Sequence, residues 1–258
     1  MFRFVLSWRW LGFAVVVLAL SLLFVRLGIW QFHRLDERHR SNAVIEHNLA
    51  TEPVDVTALL SPASPVPDDL QWRRVFVTGT FDVARQLLLK YQTRSGEPGV
   101  DVITPLLTGT GTAVLVDRGW LATANSGQVH PDVPSPPAGP TTVSGWLMAD
   151  QSGSADEVAV DDGSVRLVSG VGIGPELPYP IYDGYVAMTA AKPPPASPLR
   201  APDPPELNSG PHFFYGLQWF FFAALAVFGW FYFAWTEAVA RRRPARADHA
   251  PPPAVRHS

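Results

Sequence analysis

Apolar and polar positions are segregated along this chain. One apolar run extends from Trp10 to Trp30 and is interrupted only by Arg26, and a second runs from Phe213 to Thr236 with no charged residue. A membrane-spanning helix needs about 20 mostly apolar residues, and in lipid its backbone groups must bond within the segment. Each run therefore predicts a transmembrane α-helix, over 10–30 and 212–236. Between them the pattern changes period. Val75 and Val77 alternate with Arg74, Phe76 and Thr78 in the stretch Arg73 to Phe81. Further short strand signals follow at Gln86 to Gln92, Gly99 to Leu107, Ala113 to Leu121, Thr141 to Leu147, Ser164 to Ser169 and Gly184 to Thr189, with Gly or Pro separating nearly every pair. Short strands punctuated by turns, with no helical period between them, suggest a sandwich or a small barrel.

The fold class read from this pattern is two transmembrane α-helices, an N- and C-terminal hairpin, flanking an extracytoplasmic mainly-β domain. In order, the predicted regions are a cytoplasmic N-terminus at 1–9, the first span at 10–30 and a juxtamembrane helical segment at 31–60. A β-rich domain at 61–192 follows, then a Pro-rich return linker at 193–211, the second span at 212–236 and a basic, disordered cytoplasmic tail at 237–258. Pro131, Pro134, Pro136, Pro137 and Pro140 mark an exposed loop.

Charge orients the hairpin. Arg3 and Arg9 precede the first run, and Arg241, Arg242, Arg243 and Arg246 follow the second. Clustered Arg beside spans stays cytoplasmic, so both termini face the cytoplasm and the centre faces out, at a plasma (inner) membrane. Residues 36–211 carry 11 Lys and Arg against 21 Asp and Glu, a net of −10, while the remaining residues net +7. The rival reading of the N-terminus is a cleaved signal peptide. Its apolar core would be about 7–15 residues followed by small residues, whereas bulky Leu27, Ile29, Trp30 and Phe32 follow here.

The chain has no cysteine. Disulfides, thiolate metal sites, cysteine nucleophiles and covalent haem attachment through Cys-x-x-Cys-His are excluded. Seven histidines form no His-x₃-His or His-Glu-x-x-His array. No copper site is expected, and the acidic centre makes nucleic acid an unsuitable partner. There is no Gly-x-Ser-x-Gly elbow and no phosphate-binding glycine loop, so no enzyme is expected.

Four motifs carry candidate chemistry. Trp30, Arg34 and Arg38 lie at i, i+4 and i+8 and share a helical face. The plain reading is an interfacial Trp with two snorkelling cations, and the functional reading is a cationic ledge for carboxylates. Trp72 to Phe81 reads as a strand with a basic entry. Asp117-Arg118-Gly119-Trp120 closes an apolar strand, where an ion pair or turn is expected and Gly119 marks a bulge or a close approach. His212, Tyr215, Gly216 and Trp219 form one stripe at the mouth of the second span. His212 is either a polar interfacial residue or a haem-iron ligand, and Gly216 would admit a flat ligand or another helix.

Taken in order, the motifs resemble the SURF1/Shy1 family of cytochrome c oxidase assembly factors. The resemblance lies in Leu27-Gly28-x-Trp30-Gln31-x-x-Arg34, Val75 to Phe81 with Gly79, Gly99-x-x-x-Ile103-Thr104-Pro105-Leu106, Val114-Leu115-Val116-Asp117-Arg118-Gly119-Trp120 and His212-x-x-Tyr215-x-x-Gln218-Trp219-Phe220. It covers about residues 20–150 and 205–235. The family often has Pro soon after Arg-Gly-Trp, whereas Leu121-Ala122 stands here. The resemblance implies help in inserting or stabilising haem a, bound transiently, in an aa3-type oxidase. His212 would be the metal ligand, Tyr215 and Trp219 would pack on the macrocycle, and Arg34, Arg38 and Trp30 would complete the cofactor site. The implied partners are the haem-bearing oxidase subunit, the bc–aa3 respiratory supercomplex and membrane lipid. The alternative is a lasting accessory subunit, or a scaffold bridging the oxidase and its cytochrome bc partner without haem.

Overall fold

The computed structural model describes residues 6–62, 64–125, 127 and 131–241. Arg3, Arg242, Arg243, Arg246 and the tail beyond residue 241 lie outside the described residues. The chain divides into two compact units, residues 1–40 with 208–258 and residues 41–207.

The helical unit is built from the first part of α1 (Trp8–Ala50) and from α4 (His212–Ala240). Both helices are long and apolar enough to cross a membrane. Their apolar side chains mostly point away from protein, and the buried positions are small. These are Ser21 and Gly28 on α1 and Gly216, Ala223, Ala234 and Ala238 on α4. Small residues let two helix backbones approach closely. Pro211, which has no N–H to leave unsatisfied, is the N-cap of α4.

Within residues 41–207, α1 continues to Ala50, where the Thr51 hydroxyl donates to His47 O. The segment 31–60 is therefore not helical throughout. Pro53 biases its neighbour away from helical angles, and Val54–Asp55 instead forms a two-residue strand, β1. The remaining strands are β2 (Arg73–Phe81), β3 (Leu87–Arg94), β4 (Glu97–Thr108), β5 (Ala113–Ala122), β6 (Thr141–Met148), β7 (Ser164–Val165) and β8 (Ile181–Lys192). They form one eight-stranded sheet in the order β1-β2-β6-β8-β5-β4-β3-β7, and β2 also pairs with β4 over Gly79–Phe81. The sheet thus curls back on itself without becoming two stacked sheets or a closed barrel, which corrects the sandwich-or-barrel expectation. Parallel pairing of β5 with β8, and of the two short outer strands with β2 and β3, gives it a mixed order that a run of hairpins would not produce.

The run Ala113-Val114-Leu115-Val116 explains the centre of the domain. A strand apolar on both sides must be covered on both faces. Val114 and Val116 join Val75, Val77, Val143 and Leu147 on one side, while Ala113 and Leu115 join Leu87, Ile103, Ile173 and Tyr185 on the other. The second face is closed partly by Ile173 of one short helix, α3 (Gly170–Ile173), against which another, α2 (Ala155–Val158), packs.

Two strand boundaries depart from the sequence pattern. The strand expected over Ser164 to Ser169 stops at Val165, and the Asp150 carboxylate accepts the Gly170 N–H at the start of α3. The last strand begins at Ile181 rather than Gly184. Gly184, at φ +82°, is an irregularity inside the strand, and its N–H reaches the other oxygen of Asp150.

Candidate functional site

The mouth of the helical unit gathers polar groups where α4 begins. His212 Nδ1 lies 2.8 Å from Gln31 Oε1. Arg38 Nε donates to Asn208 O at 3.2 Å, and His39 Nε2 lies 2.9 Å from Ser209 Oγ. These three contacts tie residues 208–212 to one stretch of α1. An amide oxygen facing Nδ1 takes the imidazole proton there and leaves the Nε2 lone pair outside the pair. Histidine metal ligands are oriented in this way, with one nitrogen held by a protein oxygen and the other directed at the metal.

Just beyond this polar layer the helices meet through rings. Phe32 stacks on Phe220 at 6.0 Å and meets Phe213 edge to face, while Phe24 stacks on Trp219 at 5.7 Å. Phe32 and Phe220 each occupy space that a glycine leaves open. A Cβ on Gly216 would stand 2.8 Å from Phe32, and one on Gly28 would stand 2.9 Å from Phe220. The room beside Gly216 is therefore filled by Phe32 from the neighbouring helix.

The six residues proposed from sequence are not all brought together. His212 meets Gln31, and Trp219 packs inward on Phe24. Trp30 and Tyr215 remain 52% and 48% exposed. Arg34 is engaged by Glu37 at 2.8 Å, and Arg38 binds the turn before α4 rather than standing with Arg34 as one ledge. Gln31, Phe32, Phe220, Asn208 and Ser209 were missed as site residues. Gln31 stands within a motif already singled out, but nothing in its own helix marks it as the partner of a residue 181 positions away. Among the described residues, no group of three or more His, Asp or Glu could hold a metal ion. The fit to a haem group thus rests on the oriented His212 imidazole and the aromatic surroundings. His212 could hold iron through Nε2, and Trp30 and Tyr215 have exposed rings for a macrocycle. When bound, haem would supply its own redox chemistry, with the protein contributing binding and orientation.

The Asp117 motif resolves differently. Gly119 has φ +121°, and a Cβ there would lie 2.6 Å from Arg200 O. Trp120 N donates to Arg200 O at 2.8 Å and Arg200 N donates to Trp120 O at 3.1 Å, so the Pro-rich return segment is latched to β5. Arg94 adds a bond to Ala201 O and a 2.8 Å ion pair with Asp101, whose side chain is 6% exposed. Arg118, buried over the Phe81 ring, donates to Gln86 Oε1 and Pro134 O. Asp117 accepts the Gly119 N–H at 2.9 Å. Burial, reinforced by the Asp101 charge, pushes the Asp117 carboxyl up to about 7. This buried polar strip is a fastening of the domain.

A protein-family model described as SURF1 family matches residues 18–224. An uncharacterised SURF1-like protein of Mycobacterium tuberculosis is 30% identical over 262 residues, which covers 97% of this chain and 92% of that protein. The cytochrome oxidase assembly protein SHY1 of Saccharomyces cerevisiae is 29% identical over 108 residues, covering 42% of this chain and 27% of that protein. A SURF1-like protein of Rickettsia bellii is 28% identical over 113 residues, or 43% and 44% of the two chains.

Proposed function

The chain belongs to the SURF1 family, and we propose that it serves assembly of an aa3-type cytochrome c oxidase, helping haem a to be inserted or held in the haem-bearing subunit. In this reading α1 and α4 cross the plasma membrane, both termini are cytoplasmic and residues 41–207 work outside. The protein delivers or steadies its cargo and turns nothing over. The name of the yeast relative supports the assembly role. The observation that carries the haem role is the His212 imidazole, held through Nδ1 by Gln31. Gln31 fixes the tautomer, Trp30 and Tyr215 offer ring faces, and Arg34 and Arg38 supply cations suited to propionates.

The test is the visible spectrum of the full-length protein purified from cells that make haem a. A haem a band is expected in the wild type, lost in His212→Ala and weakened in Gln31→Ala. A band of equal intensity in wild type and His212→Ala would remove His212 from the reading.

One observation favours a second reading. The space between the helices at Gly28 and Gly216 is filled by Phe220 and Phe32, which suits a hairpin that is a packing element in its own right. As a lasting accessory subunit or scaffold between the oxidase and its cytochrome bc partner, the chain would co-purify with the oxidase at one copy each and carry no haem.

A further inference from the structure

At the opposite end of the helical unit from His212 lies a cavity of about 380 Å³, lined by Ser7, Arg9, Trp10, Phe13, Glu237 and Arg241. It falls near the lower end of the roughly 300–1,000 Å³ common for small-ligand sites. Its chemistry is layered. Trp10 meets Trp230 edge to face at 6.3 Å and Phe13 meets Phe233 at 6.4 Å, so one wall is aromatic. The other wall is cationic. Arg241 Nε donates to Glu237 Oε1 at 2.8 Å, which steadies that guanidinium at the rim, and Arg9 faces the same space without a carboxylate of its own in the lining. The lining carries two guanidinium groups against one carboxylate, and the sequence continues with Arg242, Arg243 and Arg246.

We propose that this cavity seats the phosphodiester headgroup of one anionic phospholipid. Guanidinium groups bind phosphate oxygens through paired N–H donors. An aromatic wall offers nothing to inorganic phosphate but suits the glycerol and first methylenes of a lipid. Exposed Leu11, Val15, Phe231 and Trp235 continue the apolar surface away from the rim, where acyl chains would run. The proposal rests on the membrane reading above and adds a defined lipid contact on the cytoplasmic side. Headgroup attraction for scattered basic residues is general, whereas a cavity predicts a stoichiometric ligand.

The experiment is native mass spectrometry of the full-length protein, delipidated in dodecyl maltoside and titrated with dioleoylphosphatidylglycerol, dioleoylphosphatidylcholine or inorganic phosphate. One phosphatidylglycerol adduct is expected, at least about tenfold weaker in Arg9→Gln/Arg241→Gln and unchanged in Arg74→Gln, a cation of the sheet domain. Should the double variant not fold, Arg9→Lys replaces it and is expected to weaken binding several-fold, because an ammonium lacks the fork. Equal adducts with phosphatidylcholine, or equal binding by the variants, would overturn the headgroup seat. Binding of inorganic phosphate in place of lipid would reduce it to a general anion site and overturn it as well. An alkaline carbonate wash of native membranes separates the two ideas. Release of the chain defeats the membrane reading, and retention without phosphatidylglycerol preference defeats only the lipid seat.

Discussion

The helical unit and the sheet domain use similar apolar residues in opposite ways. In β5 every residue from Ala113 to Trp120 is buried, because apolar side chains on both faces find protein partners. In α1 and α4 large apolar residues such as Leu18, Leu22, Phe221 and Phe228 are exposed, and the buried positions are small or ring-stacked. A large exposed apolar surface of this kind marks a site of contact with protein or membrane. The contrast shows that the sheet domain carries its own core, while the helix pair leaves most of its large apolar side chains uncovered.

The largest effect should come from the sheet. Leu115→Ala empties a fully buried position and should lower stability by about 2–5 kcal/mol, measured by urea unfolding in detergent micelles. Phe228→Ala, at a position 68% exposed, should cost less than about 0.5 kcal/mol in the same assay. If the two costs are similar, Phe228 packs on protein and the contrast fails. A second, smaller effect separates the units from each other. Gly216→Val drives a side chain into the Phe32 ring, and overpacking of this kind costs about 1–3 kcal/mol. Oxidase content should fall while the thermal melt of the sheet domain stays in place. A shifted sheet melt would mean that the two units share their stability.

A further effect is electrostatic. Asp117, with an ordinary value of 3.8 raised to about 7 by burial, keeps its proton in the folded chain across a window in which the unfolded chain has lost it. Stability should therefore fall as pH rises from about 4 to 7 and level off above that. Asp117→Asn preserves an acceptor for the Gly119 N–H and should flatten this slope, with its largest gain in melting temperature above pH 7. A slope that survives the substitution would assign the dependence to another buried carboxylate, such as Asp150.

Much of this organisation was legible in the sequence because it is written in local patterns. Two long apolar runs dictated two helices, and alternation at Val75 and Val77 dictated a strand. What escaped was long-range. Gly184 looks like the start of the last strand, whereas the strand begins at Ile181 and Asp150 accepts the Gly184 N–H within it, and Val54–Asp55 has no strand signal of its own before β2 pairs with it. The same holds at the mouth. The stripe of His212, Tyr215 and Trp219 can be counted along one helix, but spacing on that helix does not specify which face of α1 meets it. Gln31 and Phe32 thus stayed hidden, and Arg34 and Arg38, read as one ledge, proved to have separate partners. For Asp117-Arg118-Gly119-Trp120 the sequence suggested an ion pair or a turn, but the motif lies inside β5, with Gly119 at the bulge and close approach that its residue type signalled. Its role as a latch depended on Arg200, which lies in a stretch whose prolines suggest only a linker.

The two outermost strands of the sheet, β1 and β7, are two residues long and parallel to their neighbours. Beyond β7 the outer edge of β3 is broken by a bulge at Tyr91, at φ +66°. Open edges are the places where one chain templates another, and stubs and bulges blunt them. A domain finished in this way resists polymerising with its own copies. Any protein it grips must be recognised through side chains rather than by adding a strand to its sheet.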